Sequence, residues 1–172
     1  AACIGWLFGS AWIGASTWWL FVSLHYYGNL VAPVAVLAVA VLALALGVFL
    51  AVAMFVYARF KRASHPWRNA VLFALVWFLA EVARARIYSG FPWGAAGYTQ
   101  IDAPLVAWAP WVGVYGVGAL LALTAAVVAL LTNPWWQRAA VVVVLMGVPW
   151  LSPSFTTPTS TITVTMIQTN IA

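Results

Sequence analysis

The stretch from Val31 to Ala58 reads VAPVAVLAVAVLALALGVFLAVAMFVYA and contains no charged residue. A helix of this length is about 42 Å long, and about 20 apolar residues already cross a bilayer core of about 30 Å. Pro33 falls in the first turn, where a helix tolerates proline. The stretch therefore predicts a membrane-spanning helix.

The composition of the whole chain agrees with this interpretation. Of its 172 residues, 66% are hydrophobic and only 5% are charged, and the mean hydropathy is +1.04. An ordinary soluble domain is about half apolar and about a quarter charged. The net charge of +5 comes from too few residues to form a nucleic-acid-binding face. These values exclude a soluble domain, a disordered tail and a nucleic-acid-binding protein, and leave a polytopic membrane protein.

Four further segments meet, or come close to, the length and hydropathy that a membrane span requires. The predicted bundle has about five transmembrane helices, at residues 4–24, 31–58, 70–88, 104–131 and 135–151. The last is the weakest, because its uninterrupted apolar part would span only about 20 Å. We therefore expect an all-α polytopic membrane helix bundle.

Two short loops carry most of the positive charge and predict the orientation of the bundle. Residues 59–68 form a compact basic loop, and residues 133–138 form a weaker one. The positive-inside rule puts both on the cytoplasmic side. Residues 89–102 and the C-terminus then fall on the extracytoplasmic side.

The third predicted helix contains the residues most suggestive of a functional site. Trp77, Glu81, Arg84 and Tyr88 are spaced so that they share one helical face. Ionisable side chains at membrane depth are costly and usually face a bundle interior or a wet cavity. Two interpretations stay open. Either Glu81 and Arg84 neutralise each other and lock the packing of helices, or the face is the polar wall of a cavity for lipid headgroups.

That face leads into a loop rich in glycine and aromatic residues, SGFPWGAAGYTQID at residues 89–102. Tryptophan and tyrosine suit the headgroup layer, and non-helical backbone at membrane depth has to be covered by protein or line a cavity. The loop is either an ordinary interfacial connection or part of the same cavity. Asp102 is expected to cap the next helix, and the glycines of residues 113–118 to permit close helix packing.

Few other residues suggest chemistry. Cys3 is the one cysteine and is expected at the inner end of the first helix, so the sequence predicts neither a disulfide nor a metal cluster. His25 and His65 are expected on opposite sides of the membrane, too far apart to share a metal ion. No cofactor is expected.

The C-terminal residues differ in character. Residues 152–160 form a linker rich in proline, serine and threonine, and from residue 161 to 168 polar and apolar side chains alternate. The alternation is typical of a half-buried strand, which is not stable alone. We interpret residues 161–172 as the truncated start of an extracytoplasmic α/β domain.

Several of these residues together resemble the bacterial apolipoprotein N-acyltransferases. The resemblance rests on the pattern W-x3-E-x2-R-x5-GFPW-x3-GY-x-Q-x-D over residues 77–102 and on AP-x2-GV over residues 109–114. Residues 162–168 are similar to the opening strand of the family's nitrilase-like domain. The likeness extends over nearly the whole chain.

The resemblance implies a fold, an activity and partners. Members of the family are multi-pass proteins of the bacterial cytoplasmic (inner) membrane with an extracytoplasmic nitrilase-like domain. They move an acyl chain from a phospholipid, typically phosphatidylethanolamine, to the N-terminal amine of a diacylglyceryl-cysteine lipoprotein. A cysteine thioester carries the acyl group, and the family's catalytic Glu, Lys and Cys match no position of this sequence. We therefore expect these 172 residues to be inactive on their own.

The membrane side of the site is carried over residue by residue. The candidate residues for lipid binding or loop positioning are Glu81, Arg84, Tyr88, Gly90, Phe91, Pro92, Trp93 and Tyr98. The alternatives are a non-catalytic lipid-binding or transporter-like membrane protein and a purely structural bundle. A transporter should show broken helices in both halves of the chain. Neither alternative explains the strand-like C-terminal segment.

Overall fold

The computed structural model describes residues 1–88, 90–151, 160–161 and 163–165, and its regular structure is entirely helical. Its helices are α1 (Ala2–Ser16), α2 (Trp19–Val22), α3 (Ala32–Phe60), α4 (Pro66–Arg86), α5 (Ala109–Leu130) and α6 (Trp135–Gly147). A π-helical turn, Ser23–Tyr27, continues α2, and short 3-10 turns cover Ala96–Gln100, Pro104–Trp108 and Val148–Leu151. The predicted all-α fold class is thus confirmed for the described residues.

Three helical stretches of the described chain are long and apolar enough to cross a membrane: Ala32–Phe60, Pro66–Arg86 and Pro104–Leu130. A fourth span results if α1 and the segment Trp19–Tyr27, which meet at an angle of 50°, count as one. The fifth predicted helix is too short for this purpose. α6 has 13 residues, which extend about 20 Å against a core of about 30 Å.

The expected C-terminal strand is not observed. Residues 161 and 163–165 have no regular secondary structure. The rest of the predicted strand, and residues 152–159 of the predicted linker, lie outside the described residues.

The first predicted helix, residues 4–24, is divided at Thr17. The Thr17 hydroxyl donates a hydrogen bond of 2.7 Å to the carbonyl of Ile13, and the Thr17 N–H donates to the same oxygen at 2.9 Å. The backbone of Thr17, at φ −110° and ψ 15°, is no longer helical. Hydroxyl bonds of this kind bend helices, and here the helical segments before and after Thr17 meet at an angle of 50°.

The third predicted helix begins and ends earlier than expected. α4 runs from Pro66 to Arg86, and Ile87 already has an extended backbone. Tyr88 follows with φ 57° and a fully exposed side chain. The prediction that Tyr88 shares the face of Trp77, Glu81 and Arg84 is therefore wrong, because the helix ends before it.

The helix expected at residues 104–131 is also interrupted. A 3-10 turn opens it, and inside α5 the backbone of Gly113 has φ 64° and ψ −179°. A positive φ of this size favours glycine, so Gly113 permits a kink where close packing was expected. The N-cap of the 3-10 turn is Ala103, without a side-chain cap bond. Asp102 does not have the predicted capping role.

Glycines allow α1 and α3 to pack closely. A Cβ on Gly47 of α3 would collide with Ser10 of α1 and lie 3.0 Å from the Trp6 carbonyl. A Cβ on Gly5 of α1 would lie 2.6 Å from the carbonyl of Leu50. Small residues are the usual means of close approach between membrane helices.

We expect Gly47→Val to destabilise the bundle by about 1–3 kcal/mol, because the added atoms push α1 away from α3. The measurement is the thermal unfolding midpoint of the purified protein in detergent. Gly14→Ala is the control, since a Cβ there would meet only Ala43 at an ordinary 3.6 Å. Equal midpoints for Gly47→Val and the wild type would contradict the expectation.

Candidate functional site

Two ionisable side chains of α4 are buried inside the bundle. Glu81 is 4% exposed and Arg84 is 5% exposed. They lie in the last turns of α4, which packs against α3 on one side and α5 on the other. Both side chains point toward the segment that follows α4, residues 90–102, which we call the aromatic loop.

The Glu81 carboxyl binds the backbone of the aromatic loop. Its Oε1 accepts a hydrogen bond of 2.7 Å from the N–H of Ala96. In the described part of the chain its other oxygen, Oε2, has no hydrogen-bond partner, and neither has the buried indole N–H of Trp77. Trp77 and Glu81 line the same narrow cavity, but the indole N–H and the carboxyl do not meet hydrogen-bond geometry.

Arg84 binds the same loop nearer its start. Its Nη1 donates one hydrogen bond of 2.8 Å to the carbonyl of Phe91 and a second, short one to the carbonyl of Trp93. The backbone N–H of Phe91 donates back to the carbonyl of Arg84 at 2.8 Å. One buried guanidinium thus holds the turn that contains the Phe-Pro-Trp residues.

Glu81 and Arg84 both lie in the part of the chain that the structure describes, and they do not form a direct ion pair. Each binds a different part of the aromatic loop, and their charges attract each other only over a longer distance. The first interpretation of the sequence, a mutually neutralised pair that locks helix packing, does not match this geometry. The observed arrangement joins α4 to the loop instead.

The loop is also attached to α1. The indole N–H of Trp12 donates a hydrogen bond of 2.8 Å to the carbonyl of Gly94. Gly94 has φ +72°, and a Cβ on it would lie 2.6 Å from the Ser16 hydroxyl. The rings of Trp19 and Trp93 meet edge to face with centroids 6.5 Å apart.

α5 provides the third support of the loop, through two glycines. A Cβ on Gly97 of the loop would collide with the carbonyl of Val114. A Cβ on Gly118 of α5 would lie 2.6 Å from Oε2 of Glu81 and 3.2 Å from the N–H nitrogen of Gly97. The Glu81 carboxyl therefore occupies space that exists because residue 118 has no side chain.

The structure brings most of the predicted site residues together. Glu81 and Arg84 bind the backbone of the loop, and Phe91 and Pro92 within the loop are half-buried. Trp93 and Tyr98 are 53% and 55% exposed on the loop surface.

Gly90 begins the loop in a conformation that requires glycine. It has φ +72°, and a Cβ on it would collide with the carbonyl of Ala85. Tyr88, whose side chain is fully exposed, is separate from the buried pair.

The sequence did not single out Trp12 or Gly118 as site residues. Trp12 is one of 12 tryptophans, and nothing in its local pattern distinguishes it. Gly118 lies among the small residues of positions 113–118, which were predicted to serve helix packing alone. A glycine that faces a buried acid is the signal that could have identified it, but only with the helix pairing known.

Two spaces adjoin the buried pair. A narrow cavity of about 10 Å³, lined by Trp77, Glu81 and Arg84 among others, has room for about one water molecule. An apolar groove of about 400 Å³ lies between α3 and α4 and is lined by residues from Val48 to Val56 and from Val76 to Ile87. Ala80 and Phe49 line both spaces, so the groove runs beside the site.

The described residues have neither a metal-binding group nor a cysteine near the aromatic loop. Across the described residues, no three His, Cys, Asp or Glu side chains lie together as a metal-binding group. Cys3 is exposed at the start of α1. The end of α1 near Gly94 is about 20 Å away along the helix. Cys3 therefore lies at the opposite end of the bundle from the aromatic loop.

Comparison with known proteins identifies one family. A sequence profile described as the apolipoprotein N-acyltransferase N-terminal domain matches residues 1–127. Similar proteins named apolipoprotein N-acyltransferase come from Verminephrobacter eiseniae, 47% identical over 139 residues, and Pseudomonas putida, 39% identical over 149 residues. A third, from Ralstonia nicotianae, is 34% identical over 177 residues.

These relatives are much longer than the chain. The matches cover 81%, 85% and 99% of this chain but only 25%, 30% and 34% of the respective relatives. The chain thus spans about a quarter to a third of the length of the curated relatives it matches.

Proposed function

The chain belongs to the apolipoprotein N-acyltransferase family, and we propose that it forms the membrane part of an enzyme that transfers an acyl chain from a phospholipid to a lipoprotein. The acyl donor is a phosphatidylethanolamine-like phospholipid, and the acceptor is the N-terminal amine of a diacylglyceryl-cysteine lipoprotein. The apolar helices fit a multi-pass protein of the bacterial inner membrane. In this proposal the aromatic loop faces the extracytoplasmic side, and residues 59–68 and 133–138 face the cytoplasm.

The observation that carries the proposal is the attachment of the aromatic loop to buried charged residues. Glu81 and Arg84 hold the loop through three hydrogen bonds to its backbone. Burying two ionisable groups inside a membrane bundle is costly, and ordinary interfacial connections do not need it. A firmly held loop with exposed Trp93 and Tyr98 suits binding of a lipid headgroup or a lipoprotein at the membrane surface.

The groove between α3 and α4 supports the same proposal. Its walls are aliphatic and aromatic, and Ile87, one of its lining residues, lies three residues before the aromatic loop. An acyl chain in this groove would have its headgroup beside the loop. The lipid would then be positioned by apolar contact along α3 and α4 and by polar contact at the loop.

The acyl transfer itself needs a nucleophile near the loop. A thiolate attacks the ester carbonyl of the phospholipid, which forms a thioester and breaks the ester bond. The departing oxygen takes up the proton that the thiol gave up, and the lysophospholipid is released. The lipoprotein amine then attacks the thioester, which forms the amide and frees the thiol. Cys3 is at the wrong end of the bundle for this role. We propose that a nitrilase-like domain supplies the cysteine, as the resemblance implies, and that residues 1–172 are inactive alone.

The proposal is tested by replacing an exposed aromatic side chain of the loop. Trp93→Ala should lower the rate of lipoprotein N-acylation about tenfold, because it removes contact area at the surface of the loop while leaving the backbone bonds of Arg84 in place. The measurement is the mass of a diacylglyceryl lipoprotein incubated with the full-length enzyme and phospholipid vesicles.

The control is Trp135→Ala, which removes a tryptophan that is 75% exposed. Trp135 begins α6, at the end of the bundle opposite the aromatic loop. Its acylation rate should equal that of the wild type. Equal rates for Trp93→Ala and the wild type, at equal membrane abundance, would contradict a substrate-binding role for the loop.

A further inference from the structure

The connection between α3 and α4 concentrates positive charge at the end of the bundle opposite the aromatic loop. Four of the seven Lys and Arg residues of the chain lie in the basic loop, residues 59–68, and all four are exposed: Arg59, Lys61, Arg62 and Arg68. The two acidic residues of the chain, Glu81 and Asp102, lie at the aromatic end. No carboxylate in the described part of the chain is therefore near enough to neutralise the basic loop.

The basic loop is braced rather than loose. The side-chain oxygen of Asn69 accepts a hydrogen bond of 2.9 Å from the Arg62 N–H, and its amide nitrogen donates to the Arg62 carbonyl at 2.7 Å. Arg68 donates a bond of 2.9 Å to the carbonyl of Phe60, the last residue of α3. These bonds hold the backbone in place, and the side chains of Arg59, Lys61 and Arg62 are exposed. The Arg59 guanidinium lies over the ring of Phe60, 5.9 Å from its centroid.

The loop is also short, which places its charges close to the membrane. α3 ends at Phe60 and α4 begins at Pro66, so five residues separate two helices that are able to span a bilayer. Phe60 is 54% exposed and Trp67 is 45% exposed at the ends of these helices. Exposed aromatic residues in this position are typical of the layer of lipid headgroups.

We propose that the basic loop is a binding site for the headgroups of anionic phospholipids. Uncompensated cations beside a spanning helix attract negatively charged lipids, and the braced backbone presents them without the entropy cost of ordering a flexible loop. The loop is too close to the membrane to present a wide face to a nucleic acid. The site is about 30 Å from the aromatic loop across the bilayer and is independent of the acyl-transfer proposal.

Native mass spectrometry of the full-length protein, released from nanodiscs that contain equal amounts of phosphatidylglycerol and phosphatidylcholine, tests the site. The wild type should retain phosphatidylglycerol in preference to phosphatidylcholine, and added salt should reduce this preference because it screens exposed charges. In the variant Arg59→Gln, Lys61→Gln, Arg62→Gln the preference should disappear. The glutamines leave the bonds between Asn69 and the backbone of residue 62 intact.

The matched comparison is between Arg62→Gln and Arg86→Gln, each of which removes one exposed guanidinium. Arg62 lies in the basic loop before α4, and Arg86 is the last residue of α4. Arg62→Gln should weaken the retention of phosphatidylglycerol, and Arg86→Gln should leave it unchanged. A wild type that retains both lipids equally would overturn the proposal whether or not the variants fold. So would an equal loss in Arg86→Gln, which would indicate an effect of net charge alone.

Discussion

Replacing Arg84 with methionine is expected to release the first part of the aromatic loop from the bundle. The guanidinium donates to the carbonyls of Phe91 and Trp93 from a side chain that is only 5% exposed. Hydrogen bonds that involve a charged group contribute about 1.5–3 kcal/mol each. Methionine fills most of the same volume but donates none, so two carbonyls and the nearby Glu81 lose their cationic neighbour.

Two measurements separate the release of the loop from general unfolding. Hydrogen exchange of the Phe91 and Ala96 amides, both bonded to residues of α4, should become faster while exchange in α3 stays unchanged. Lipoprotein N-acylation by the full-length enzyme should fall by about tenfold or more. Arg86→Met is the control, because Arg86 lies on the same helix, is exposed and is not bonded to the loop. Unchanged exchange at both amides would refute the role of Arg84 in holding the loop.

The helical spacing of α4 could be read from the sequence, but the partners of its charged residues could not. Positions 81 and 84 were expected on one buried face, and they are there. Their direct pairing, one of the two interpretations left open, is not formed, because each binds a backbone group of the aromatic loop instead. Every residue has a backbone C=O and every residue except proline has an N–H, so the sequence does not show which of these groups a buried side chain will bind.

The interruptions of the helices were harder to predict than the helices themselves. The apolar runs around Thr17 and Gly113 contain no charged residue, and their hydropathy indicates only that both segments can be buried. The bend at Thr17 depends on a hydroxyl bond to the preceding turn, and the kink at Gly113 on a positive φ. Both interruptions are local changes of backbone conformation. They shape the end of the bundle where the loop is attached.

The buried carboxyl of Glu81 depends on a glycine 37 positions later in the chain. A Cβ on Gly118 would lie 2.6 Å from Oε2 of Glu81, which is much closer than van der Waals contact allows. In an ordinary helix interior, exchanging glycine for alanine stabilises by about 1 kcal/mol. We expect Gly118→Ala to destabilise instead, by about 1–3 kcal/mol, because the carboxyl has to leave its place and with it the bond to Ala96.

A double-mutant cycle separates this contact from a general packing defect. If the new methyl acts through the carboxyl, Gly118→Ala should cost much less stability in a Glu81→Ala background than in the wild type, since the group it displaces is already absent. The measured quantities are the thermal midpoint in detergent and the exchange rate of the Ala96 amide. Gly147→Ala is the control, because a Cβ on Gly147 meets no atom within 4 Å. Additive losses for Gly118→Ala and Glu81→Ala would mean that the glycine serves helix packing alone, as its sequence neighbourhood first predicted.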